Sequence, residues 1–78
     1  MRAKVATLVS ASEIEKHFMP GDVSTVTEIL GLYLGSEGLR VKRAILDLAS
    51  GDLSKLRHYV RVANKDYREV LYWSEYPE

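Results

Sequence analysis

The stretch "DLSKLRHYVRVANKDYREVLYWSE", residues 52–75, decides the fold. Leu53, Leu56, Val60, Ala63, Tyr67, Val70 and Ser74 follow one another at 3-4-3-4-3-4 spacing without a slip. That rhythm keeps every member on one face of an α-helix, because 3.6 residues make a turn. Asp52 stands at the N-cap position, and Pro77 follows the end, where it does no harm. The spacing predicts one helix over about 52–75, roughly 36 Å long at 1.5 Å per residue. Asn64 lies off the stripe. A break near Asn64, giving two shorter helices, is the competing reading.

Two further lines run along the same segment. At 100° per residue, Arg57, Arg61, Lys65 and Arg68 lie nearly opposite the apolar face, with His58 beside them. Arg57 and Arg61 disfavour a charged His58 and suit an anion site, so these five residues are the anion-binding candidates. The plain reading of such a stripe is a solvated face, since arginine stems also cover neighbouring apolar surface. An acidic protein partner comes second, and phosphate or nucleic acid third. A nucleic-acid surface wants aromatics interleaved with cations on one face. Only Tyr72 shares the basic line, so nucleic acid is not favoured. A helix-turn-helix built on Gly35 and Ser36, with Arg40, Lys42 and Arg43 beyond it, lacks other polar base readers.

The third line is Tyr59, Val62, Asp66, Glu69, Trp73 and Tyr76, again at 3-4-3-4-3 spacing. Its ends are apolar or aromatic and its middle is acidic. Large aromatics outside a core mark interfaces, where they add contact area at low entropic cost. These six residues are the interface candidates, and the expectation is an isologous homodimer. Asp66 and Glu69 would meet Arg40, Lys42 or Arg43 of a second copy. The competing reading has the N-terminal region folding over these aromatics within one chain.

Upstream, helix punctuation is clear. Ser10 and Ser12 precede Glu13 and Glu15 by three, the capping-box spacing. A short helix is expected over about 12–19, stopped by Pro20-Gly21. Asp22 should cap a second helix over 23–34, with Val23, Val26, Ile29, Leu30, Tyr33 and Leu34 inward and Gly35 ending it. Ser36 should cap a third over 37–49, with Val41, Ala44, Ile45 and Leu48 inward, and Gly51 should end that. The expected fold is all-α: three main helices plus a short N-terminal one, bundled against a long C-terminal helix. Residues 1–11 are expected to be a flexible or loosely packed segment, and 12–78 a single helical domain. "GDVSTVTEIL" at 21–30 and "GDLSKLRHYV" at 51–60 echo one another, mainly because both obey the rule that Gly stops a helix and Asp starts the next.

Totals limit the function classes. At 78 residues a lone core is marginal, so stability must come from helix packing or self-association. The absence of cysteine removes disulfides and thiol chemistry, and two histidines are too few for a convincing metal site. Eleven basic and eleven acidic residues give net charge zero, but residues 40–68 hold eight basic against three acidic. Such a chain can bind anionic partners locally without the global excess of a dedicated DNA binder. No phosphate loop, dinucleotide motif or nucleophile elbow occurs, and the serines cluster at helix ends, where they cap. Glu13 and His17, at i and i+4, fit a surface ion pair. The expectation is a non-enzymatic binding module without cofactor. The apolar run Val5–Val9 is too short for a signal peptide or membrane span, which points to a cytoplasmic protein.

"DYREVLYWSEYP" at 66–77 resembles the C-termini of short uncharacterised bacterial proteins, in which Asp-Tyr-Arg opens a helix that closes on a Trp and a Glu-Tyr-Pro. The resemblance implies a bacterial cytoplasmic origin and supplies no site.

Overall fold

Caps and apolar periodicity make the helices, and a tertiary hydrogen-bonded bridge decides where one of them stops. A computed structural model describes residues 9–76. The element order is α1 (Ala11–Glu15), a 3-10 turn (Pro20–Asp22), α2 (Val23–Leu30), α3 (Gly38–Ala49) and α4 (Leu53–Glu75). Among the described residues there is no strand, and the fold is a small all-α bundle with a long C-terminal helical element. Residues 1–8, the larger part of the expected loose segment, lie outside the described residues. Val9 packs against the core and Ser10 caps α1.

The cap of α1 is the reciprocal box its sequence carries. The Ser10 hydroxyl accepts from the Glu13 N–H, and the Ser10 N–H donates to the Glu13 carboxylate, both at 3.3 Å. α1 ends at Glu15 rather than near 19. Pro20 favours an extended residue before it, and Met19 is extended at φ −70°, ψ 151°. The turn between them still puts Ile14 and Phe18 in the core.

α2 also ends early, at Leu30 rather than 34, and Gly35 is not its terminator. Asn64, thirty residues away, explains this. Its side-chain carbonyl accepts from the Leu34 N–H at 3.1 Å, and its amide donates to the Leu32 carbonyl at 3.0 Å. Continued helix would spend those backbone groups internally; here they are satisfied from α4. Tyr33 is buried, and its hydroxyl donates to the Ser36 carbonyl at 2.6 Å, closing the loop around the ring. Leu34, expected to face inward, is therefore 86% exposed. Ser36 does not cap α3; Glu37, left-handed at φ 54°, precedes it. Asp22 makes no side-chain cap either, because the 3-10 turn leads straight into α2.

α3 buries Val41, Ala44, Ile45, Leu46 and Ala49 against α4. Ser50 and Gly51, at φ 50° and 89°, turn the chain, and Asp52 caps α4 by accepting from the Ser54 and Lys55 N–H groups at 2.8 and 3.2 Å.

α4 is not one straight helix. Asp66 has extended backbone, φ −158°, ψ 95°, and divides the element into a first limb, 53–65, and a second limb, 67–75. The break falls two residues beyond Asn64. The apolar stripe survives it: Leu56, Val60 and Ala63 are buried on the first limb, Val70 and Leu71 on the second. The limbs fold toward each other. Tyr59 and Trp73 are fourteen positions apart, about 21 Å along an unbroken helix. Their ring centroids lie 6.0 Å apart, edge to face.

Candidate interaction surfaces

The bend redistributes the residues that the sequence placed on straight lines. Among the interface candidates, Tyr59 and Val62 are half-buried and pack against the core. Tyr59 spends one ring edge on Trp73, an arrangement aromatic quadrupoles favour. Asp66 sits in the bend. Its Oδ1 accepts from the Arg68 N–H and from Arg68 Nε, each at 3.1 Å, so it caps the second limb. The Arg68 guanidinium is the main reason the Asp66 carboxyl is held below its ordinary range, and the Arg68 N–H adds to it. Glu69 is exposed. Trp73 is 40% exposed and Tyr76 65%.

The residue that the sequence line missed here is Tyr72, 61% exposed, with its ring 5.2 Å from that of Tyr76. Tyr72, Trp73 and Tyr76 form an exposed aromatic patch on the second limb. The opposite side of that limb is fixed. Val70 and Leu71 are buried, and Glu75 accepts from Arg40 Nε of α3 at 3.1 Å. Arg40 also pairs with Glu37 at 3.1 Å, and Arg43 with Glu13 at 2.6 Å. The Arg43 guanidinium, with the Ser10 N–H, holds the Glu13 carboxyl below its usual range. Glu13 thus pairs with Arg43, not with His17. Of the three cations offered to a second copy's Asp66 and Glu69, Lys42 alone lacks an ion pair among the described residues.

The anion-binding candidates separate into groups. Arg57 and Arg61 border a groove of about 200 Å³ between the end of α2 and the first limb. Lys65 and Arg68 lie by the bend, beside Tyr33 and Tyr67. Arg68 is committed to Asp66. His58 stacks edge-on against Tyr59 at 5.3 Å. The structure does not join all five into one site. Among the described residues, Arg57, Arg61 and Lys65 make no ion pair.

An open cleft of about 330 Å³ between α1, α3 and the second limb holds Lys16, His17 and Asp47 together with the Glu13–Arg43 and Arg40–Glu75 pairs. Its salt bridges staple three elements at the surface, where screening leaves each a small contributor. Among the described residues, no cluster of three or more His, Asp or Glu side chains could hold a metal ion, and no helix is long and apolar enough to cross a membrane. No family model, curated protein or solved structure matches the chain. The resemblance of residues 66–77 stands on those residues alone.

Proposed function

We propose that the chain is a non-enzymatic protein-interaction module that self-associates through Tyr72, Trp73 and Tyr76. One observation carries this reading. Three aromatics, 61%, 40% and 65% exposed, share a limb whose other side is buried and tied to α3. Holding them there leaves little conformational entropy to be lost on contact. With about 150–250 Å² available on each ring, the patch offers roughly 250–400 Å². That rivals the largest apolar patch of an ordinary monomer, and such patches are often functional. It is also about half of one partner's share of a standard interface, so the dimer is weak and reversible, micromolar or weaker. Net charge zero sets no global repulsion between copies.

Trp73 is the only tryptophan and reports on the patch directly. Dilution from about 500 µM to about 1 µM should move its emission to longer wavelength as the partner's surface is replaced by water. Tyr72→Ala/Tyr76→Ala should show the diluted spectrum at every concentration. An emission maximum independent of concentration in the wild type overturns the proposal.

A further inference from the structure

The groove between α2 and the first limb has the build of a recognition site. Its floor is Ile29 and Val60, 5% and 3% exposed. Leu32, 63% exposed, forms one wall, and Arg57 and Arg61 form the other. The volume, about 200 Å³, suits one large side chain rather than a whole small molecule. The Leu32 wall is preformed, since Asn64 holds the Leu32 carbonyl and the Leu34 N–H. The two arginines, one turn apart, are without ion pairs among the described residues, while Arg40, Arg43 and Arg68 are all matched to carboxylates. Positive charge is thus left unmatched beside an apolar pocket.

We propose that this groove binds a short acidic segment of a partner protein, which inserts one bulky apolar side chain between Leu32 and Val60 and sets flanking carboxylates on Arg57 and Arg61. Charge complementarity selects the occupant. An apolar anchor alone leaves both guanidiniums idle, and an anion alone leaves Leu32 in water. Arginine forks match carboxylates in a bidentate way and are enriched at such contacts. Nucleic acid fits less well, because among the described residues no aromatic side chain lines the groove to stack on a base.

The probe is a capped hexapeptide, Glu-Asp-Phe-Glu-Asp-Gly, titrated into the ¹⁵N-labelled chain. Amide shifts should concentrate at Ile29, Leu32, Arg57 and Arg61, with affinity on the order of 100 µM, as one anchor and two screened ion pairs give. Replacing the peptide's Phe by Ser should weaken binding roughly 10- to 100-fold, the loss of one buried aromatic. Arg57→Ala and Arg61→Ala should each weaken it about two- to fivefold, and raised salt should do the same. Both side chains are exposed, so the variants keep the fold, which circular dichroism checks. The proposal is overturned by no shifts at these residues, by equal binding of the Ser peptide, or by complete displacement by an oligothymidylate. Groove shifts that appear on concentrating the chain without peptide also overturn it, since the occupant is then a second copy.

Discussion

Asn64→Ala removes the side chain that stops α2 and shapes the loop before α3. Two hydrogen bonds are lost, Asn64 to the Leu34 N–H at 3.1 Å and to the Leu32 carbonyl at 3.0 Å. Each is worth about 0.5–1.5 kcal/mol net, and water reaches this exposed loop, so the sum is about 1–2 kcal/mol. For a domain of this size that lowers the melting temperature by roughly 5–10 °C. The effect should be local before it is global: the Leu34 amide should exchange with solvent faster, while amides in the middle of α3 slow or quicken only with overall stability. Asn64→Asp sharpens the test. A carboxylate still accepts from Leu34 but sets an oxygen against the Leu32 carbonyl oxygen, so at neutral pH it should be worse than alanine. Protonation restores a donor, so the deficit should shrink as the pH falls below about 4. An unchanged melting temperature together with unchanged Leu34 exchange in Asn64→Ala would refute the idea that this bridge ends α2.

Other predictions are simpler. Gly51→Ala should destabilise by more than ~1 kcal/mol in thermal melts, because φ is 89° and the added Cβ would sit 2.7 Å from the His17 carbonyl oxygen. Gly21→Ala, where a Cβ meets nothing within 4 Å among the described residues, should stay within about 0.5 kcal/mol of wild type. Leu56→Ala, at 0% exposure in the first limb, should cost about 2–5 kcal/mol in urea unfolding, a large share of a small domain's stability. The Glu13 and Asp66 carboxyls are both depressed in the folded state, chiefly by Arg43 and Arg68. Their contribution is complete above the unfolded pKa and is lost as pH falls through the folded one. The melting temperature should therefore drop below about pH 4, and less steeply in Arg43→Ala/Arg68→Ala.

Much of the fold is legible in the sequence because caps and apolar spacing are local signals. The Ser10–Glu13 box, the Asp52 cap and the turn at Gly51 all act over four residues or fewer, and all three are present. Along the stripe, Leu56, Val60, Ala63, Val70 and Leu71 are buried as their period demands, and Tyr67 is half-buried against the core. The bend was legible in principle. Asp66 precedes Glu69 by three, the same spacing that marks the start of α1, but an unbroken stripe running through it outweighs one cap signal. Only Asp66, which cannot be both an extended cap and a helical residue, gives the break away. The end of α2 is only partly legible: Gly31 stands at its C-cap, but Tyr33, Leu34 and Gly35 carry the apolar pattern and a second stop signal past it. Nothing near Leu30 says that Asn64 will take the hydrogen bonds of Leu32 and Leu34, since that pairing exists only once α4 is docked.

The surfaces follow the same division. Exposure of Tyr76 and partial exposure of Trp73 accord with their position off the core stripe. A straight helix keeps Tyr59 and Trp73 far apart, so their contact is a consequence of the bend. Tyr72 extends the basic line, but it also stands four residues before Tyr76, and that i, i+4 spacing brings the two rings together with or without the bend. The groove at Arg57 and Arg61 needs Leu32 from another element, which no reading of one helix supplies.

Self-association through the second limb is tested most directly by sedimentation equilibrium of the wild type beside Tyr72→Ala/Tyr76→Ala. The wild-type mass should climb from 8.8 kDa toward twice that value as concentration rises, while the variant stays at 8.8 kDa. A wild type fixed at 8.8 kDa throughout, or a dimer that survives the double substitution, contradicts it.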